Sequence, residues 1–202
     1  LQPGRRIAAT APPADAAPST FRYDPAQPTP TVGGRLLSPQ SGYKSDDQLV
    51  ERDDVLSFTS GPLDADLYVC GNPVVELAHE SDNPHFDVFV RIGEVDERGR
   101  SRNVSDGYRR FAAQPDGPIR IELDAIAHRF RTGSRVRVLV AGGSHPRYAR
   151  NLGTGEPALT GRRMVPSTHT VHHGAGGVSK LILPASDVAP SADGVADAAR
   201  GQ

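Results

Sequence analysis

The feature that most limits the fold of this chain is a two-residue rhythm. In Phe86-Asp-Val-Phe-Val-Arg-Ile92, the side chains of Phe86, Val88, Val90 and Ile92 fall on one side of an extended backbone, because successive strand residues point to opposite faces. Arg135-Val-Arg-Val-Leu-Val140 does the same with Val136, Val138 and Val140, and Ile119-Arg-Ile-Glu-Leu123 alternates apolar and charged residues. Val55–Phe58, Leu67–Cys70, Val74–Ala78 and Ser179–Pro184 are further short β runs. Gly71-Asn72-Pro73 supplies a turn, and Asp96–Arg100, between Val95 and Ser101, a hairpin-type connection. No long 3.6-residue period interrupts the series. Recurrent strands of this kind bury their apolar sides by stacking sheets, which predicts an all-β sandwich. A jelly roll suits the strand number and the long crossing loops.

Composition supports that reading. The chain has 202 residues, enough for one domain with a sizeable core. Its 21 Gly and 18 Pro, with no Trp and one Met, fit a turn-rich β architecture better than a helical bundle. A formal net charge of -1 gives no electrostatic reason for a nucleic-acid or anionic-membrane partner. Cys70 is the single cysteine, so no intrachain disulfide can form. No apolar run approaches the roughly 20 residues of a membrane span, and no basic-then-apolar signal-peptide pattern is read in these residues. These features predict no membrane association and a cytoplasmic compartment.

The chain divides into three parts. Residues 1–53 are an extended Pro/Gly-rich lead-in, 54–185 the sandwich core, and 186–202 a flexible tail. Leu1-Gln2-Pro3-Gly4 reads like the end of a strand entering a turn, as expected of a domain excised from a longer protein. Ala8–Thr20 is Ala/Pro-rich and predicted to be loop. Pro25, Pro28 and Pro30 impose an extended path, and Gly33-Gly34 allows a sharp turn or a close backbone approach. Ser38–Glu51 is a polar loop.

Candidate chemistry is sparse. Gly142-Gly-Ser-His-Pro146 comes nearest to the G-x-S-x-G elbow of a serine nucleophile, but Pro146 replaces the last glycine and denies the helix start. His169, His172 and His173 suggest a metal set. On a strand, however, His169 and His173 share one face and His172 takes the other, with no acidic or cysteine partner near in sequence; solvated strand histidines and no bound metal are expected. Asp53, Asp54, Asp64, Asp66 and Asp82 lack the spacing of a calcium loop and read as exposed carboxylates. Asn103-Val-Ser105 is formally a glycosylation sequon. Arg147, Tyr148, Arg150 and Asn151 form the densest polar-aromatic cluster, suited either to a sugar or phosphate or to a domain interface. No catalytic residue and no cofactor is predicted.

Five stretches, in this order and spacing, carry a family likeness from about Phe21 to Pro184. They are Tyr23-Asp-Pro…Pro30-Thr-Val-Gly-Gly34; Glu51–Leu63 with Val69–Leu77; Asp87–Asp96 with Gly99–Gly107; His145–Gly155; and Ser179–Pro184. Together they resemble the C-terminal domain of the CocE/NonD and X-Pro dipeptidyl-peptidase group of serine hydrolases. Relatives usually carry an aromatic residue before the proline of the fourth stretch, where this chain has His145. The resemblance implies a non-catalytic, galactose-binding-like jelly roll with a long N-terminal loop. Its partner would be an α/β-hydrolase domain of the same protein acting on esters or Xaa-Pro peptides, and any self-association would arise through that parent enzyme. It further implies that Gly33, Gly34, Leu36 and Leu37 line the acyl side of the substrate pocket, the alternative being that the leucines begin a core strand. It favours an interface role for Arg147, Tyr148, Arg150 and Asn151. A competing reading is a stand-alone carbohydrate-binding module, which needs exposed aromatic platforms.

Overall fold

The computed structural model describes residues 1–186. Its elements are β1 (Arg6–Ile7), β2 (Ser19–Tyr23), one helical turn α1 (Asp47–Val50), β3 (Val55–Ser60), β4 (Leu67–Gly71), β5 (Val74–Leu77), β6 (His79–Ser81), β7 (Phe86–Val95), β8 (Ser101–Phe111), β9 (Ile119–Glu122), β10 (Ile126–Phe130), β11 (Arg135–Ala141), β12 (Ser167–Val171), β13 (Lys180–Ile182) and β14 (Ala185–Ser186).

One layer is a five-stranded sheet in the order β1-β3-β11-β7-β8. The other is assembled from three short sheets, β10-β4-β14, β2-β12-β6 and β13-β5-β9. The apolar sets picked out by the two-residue rhythm meet between the layers. Leu56, Phe58, Phe86, Val88, Val90, Ile92, Val136, Val138 and Val140 come from the large sheet, and Phe21, Val69, Val75, Leu77, Ile119, Ile121, Phe130 and Val171 from the other side. Each fully buried side chain of this kind contributes about 1.5–3 kcal/mol relative to exposure. The chain is therefore an all-β sandwich.

The expected strands are present, and Val95 and Ser101 do flank a hairpin. The Arg100 carbonyl accepts from the Asp96 N–H at 3.0 Å, and the Asp96 carboxylate accepts from the N–H groups of Arg98 and Arg100. At the start of the chain, Gln2 pairs with Arg6 around a tight turn.

Four differences matter. The lead-in contributes strands: β1 pairs in parallel with β3, and β2 pairs with β12, so Ser19 and Thr20 leave the predicted loop. Their reason is tertiary, because Phe21 and Tyr23 of β2 are buried while Arg22 between them is exposed. The polar strand β8 is eleven residues long and shows no clean apolar alternation. His169, on β12, and His173, just past its end, are fully buried while His172 is part-exposed, so the histidines of this segment are not the solvated strand residues expected. Finally, Ser186, the first residue of the predicted tail, pairs with β4 together with Ala185; the rest of that tail, 187–202, lies outside the described residues. Among the described residues no helix is long and apolar enough to cross a membrane.

Candidate functional site

Strand β7 of the large sheet is buried on both faces. Val88, Val90 and Ile92 of β7 point inward, so Asp87, Phe89 and Arg91 point outward, and yet all three are at most 2% exposed. Residues of the lead-in and of the loop after β11 cover them. A second, smaller apolar cluster forms there from Val32, Leu49, Val55, Phe89, Leu139 and Ala141, with Tyr108 and Tyr148 packed against it. The covering segments are sewn together: the N–H of Thr31 donates to the His145 carbonyl at 2.7 Å, and that of His145 to the Thr29 carbonyl at 2.8 Å.

Two carboxylates organise the polar part of this face. Asp87 receives the Tyr108 hydroxyl at 2.7 Å, both Nε and Nη2 of Arg110 at 2.8 Å, and the Asn151 amide at 2.8 Å. Tyr108 in turn stacks on Tyr148, with centroids 3.8 Å apart and planes 4° from parallel. Burial, reinforced by the Asp87 charge, pushes the Tyr108 hydroxyl pKa up, and the hydrogen bonds to Asp87 raise that of Arg110. The second carboxylate, Asp106, takes Arg147 Nη1 at 2.5 Å and Arg91 Nη2 at 3.1 Å. Arg91 also lies 3.9 Å from Asp46, whose pKa burial raises. Two guanidinium and two carboxylate groups are thus enclosed together.

The Gly33-Gly34 turn rests on this group. Gly34 has φ +80°, and a Cβ there would sit 2.7 Å from Asp106 Oδ2 and 3.0 Å from Arg147 Nη1. Both conditions demand glycine. Gly34 and Gly42 exchange two backbone hydrogen bonds of 2.8 Å, closing a loop between them. Asn103 holds the far end, accepting from the Lys44 N–H and donating to the Gly42 carbonyl; the sequon asparagine is buried and committed to this contact. Arg35 pairs with Asp124 at 2.5 Å. Leu36 is half-buried, Leu37 is fully exposed, and neither belongs to a strand. The alternative in which these leucines begin a core strand is therefore set aside.

The four residues from Arg147 to Asn151 singled out in the sequence are brought together, but their side chains turn toward the domain. Arg147 binds Asp106, Tyr148 stacks on Tyr108, Arg150 donates to the Pro25 carbonyl, and Asn151 binds Asp87. Asp87, Arg91, Asp106, Tyr108 and Arg110 were not anticipated. The signal for them was available in the charges placed at alternate positions of an otherwise apolar strand, Asp87 and Arg91 on β7.

Most of the remaining candidates have structural work, while Asp53 and Asp64 are exposed as expected. Ser144 is buried, with its Oγ 3.0 Å from Thr31 Oγ1 and no imidazole partner. His79 Nε2 and His169 Nδ1 are 3.0 Å apart, and His169 Nε2 is 2.9 Å from Ser167 Oγ. His173 contacts Ser19 Oγ at 2.8 Å. Among the described residues no three or more His, Cys, Asp or Glu side chains are grouped to hold a metal. Asp54 accepts from Thr29 and Arg52, Asp66 from Thr132, and Asp82 from the Thr168 N–H.

What this geometry can do is present an apolar side chain on a firmly seated loop. Comparison with known proteins agrees with a non-catalytic role. Residues 3–182 match the model of the X-Pro dipeptidyl-peptidase C-terminal non-catalytic domain, and the chain belongs to that family. It is 28% identical over 181 residues to the cocaine esterase of Rhodococcus sp. (strain MB1 Bresler), across 82% of this chain and 32% of the esterase. Among solved structures, an alpha-amino acid ester hydrolase superposes with a TM-score of 0.81 at 25% identity, covering 92% of this chain and 35% of that one. An aminopeptidase from the marine sediment archaeon Thaumarchaeota archaeon shares the fold, with a TM-score of 0.81 at 24% identity over 92% of this chain and 36% of its own. The chain thus spans about a third of the length of these relatives.

Proposed function

We propose that this domain packs on an α/β-hydrolase catalytic domain of the same protein and completes its substrate pocket. The parent reaction is acyl transfer to water through a serine nucleophile, on ester or Xaa-Pro substrates. The sandwich is read as a galactose-binding-like jelly roll. Gly33 and Gly34 aim the loop, and Leu36 and Leu37 cover the acyl group. The observation that carries this reading is Leu37, a fully exposed leucine on a loop fixed at both ends. An isolated surface leucine is unremarkable on its own; one delivered by a glycine turn seated on buried charges suits a docking or lining role.

For Arg147, Tyr148, Arg150 and Asn151 the interface proposal takes a more specific form. Their side chains fasten the loop, while Pro146 and Ala149, both exposed, face the catalytic domain. The carbohydrate-module reading is less well supported, because all six Phe are buried and Tyr43 alone of the Tyr falls in the exposed class.

The test is Leu37→Ala in the full-length hydrolase. Removing methylenes from a lining position shifts discrimination by about 1–3 kcal/mol. The ratio of kcat/KM between large and small acyl substrates should therefore change, with folding retained. An unchanged ratio would remove the lining role, and retention of the isolated domain on a glycan array would favour the carbohydrate reading.

A further inference from the structure

We infer that Asp106, Arg147 and Arg91 are positioning residues for the Leu36–Leu37 loop, acting as a buried ionic seat on which the Gly34 turn is clamped; the catalytic consequence rests on the pocket-lining reading above, but the clamp does not. The argument begins with cost. Arg91 is completely buried and the side chains of Asp106 and Arg147 are 3% and 8% exposed, so these charges have been taken out of water. A buried ion pair is weak evidence for stability, since well-packed apolar residues often do as well. What ions provide that apolar residues do not is directional geometry.

Here the geometry is specific. Asp106 holds Arg91 through Oδ2 and Arg147 through Oδ1, which fixes the carboxylate plane from two sides. Oδ2 is also the atom against which the Gly34 backbone rests. Arg147 reaches the same turn from the opposite strand end, its backbone N–H donating to Thr31 Oγ1 at 3.2 Å. Arg91 also faces the Asp46 carboxylate, 3.9 Å away at the start of α1 and just after the loop closes, as a charge neighbour without a hydrogen bond. One carboxylate therefore meets the turn that opens the loop, the sheet beneath it through Arg91 and the loop after β11 through Arg147. The exposed leucine needs such a seat, because its own side chain anchors nothing.

Hydrogen exchange of the 202-residue chain reads the clamp directly at the hydrogen-bonded amides of Gly34, Gly42 and Lys44. Arg147→Met should raise exchange at these three amides tenfold or more while amides of β7 and β11 are unchanged, and Arg147→Lys should restore part of the protection. Gly34→Ala should reproduce the Met result. In the full-length hydrolase the same Arg147→Met change should shift large-to-small acyl selectivity severalfold, chiefly through KM. Unchanged loop exchange in Arg147→Met and Gly34→Ala overturns the clamp, as does a uniform rise across the core. Faster loop exchange with unaltered selectivity upholds the clamp and overturns pocket lining. If Arg147→Met fails to fold, Gly34→Ala and Arg147→Lys carry the test.

Discussion

On its inner face the five-stranded sheet presents Val88, Val90, Ile92, Val138 and Val140; on its outer face the same two strands present Asp87, Phe89, Arg91, Arg137 and Leu139. Both faces are covered, by different means. The inner face is covered by other strands and held by apolar burial, which is non-directional and tolerant of small shifts. The outer face is covered by the lead-in and the loop after β11, and there ion pairs that specify positions are added to a small apolar cluster. The inner face makes the domain stable, while the outer face decides where its loops sit.

Substitutions can break this division. Val138→Asp places an unpaired charge among Phe58, Val90 and their neighbours and should cost about 4 kcal/mol or more, read as a large fall in denaturant midpoint or as loss of folding. Arg91→Ala leaves buried Asp46 without its cation and takes one of two guanidinium groups from Asp106, and should cost about 3–5 kcal/mol, whereas Arg91→Met together with Asp46→Leu, which leaves the Asp106–Arg147 pair intact, should recover much of it. Recovery would show that the outer-face ions supply geometry more than stability.

Acid titrates the inner layer next. Burial lowers the pKa of His79 to about 4 and of His169 to about 3, against roughly 6.5 for a free imidazole. The unfolded chain then binds more protons than the folded chain below about pH 6.5, so stability is complete above that value and is lost as pH falls toward the folded-state values. A loss of about 2.5 kcal/mol between pH 7 and pH 5.5 is expected, and His79→Gln should flatten the slope of melting temperature against pH. Smallest of all, Leu37→Ala should change stability by less than about 0.5 kcal/mol, since the side chain touches nothing that folding buries. A larger loss would mean that the loop is part of the core after all.

The same contrast explains what could be read from the sequence. Where one face of a strand is apolar and the other charged, as in Ile119–Leu123, or where valines alternate with arginines, as in Arg135–Val140, period two reveals strand and facing together. β8 escapes that rule because its inward Ser105 and its outward Asp106, Tyr108 and Arg110 are all polar; its strand character comes from pairing with β7 across the hairpin. β2 and β12 were hidden by Pro-rich context and by histidines that are buried neutral. The Gly33-Gly34 turn was legible because glycine pairs are rarely idle. Its seat was not, because Asp106, Arg147 and Arg91 are far apart in sequence and only the fold makes them neighbours.

The stitching of Thr29–Thr31 to His145–Arg147 has a consequence for the order of events in folding. Its side-chain contacts span 113 and 116 residues, so they close only after β3, β7, β8 and β11 have formed the surface on which both segments lie. Contacts of such separation are entropically late, and a layer of loops over a finished sheet is the natural first unit to detach. On warming, the lead-in between Pro25 and Asp54 should therefore lift off as one cooperative piece before the sandwich melts. A protease would find the Leu36–Ser41 loop while β7 and β11 are still fully protected, leaving a folded domain that has already lost the loop proposed to face its neighbour.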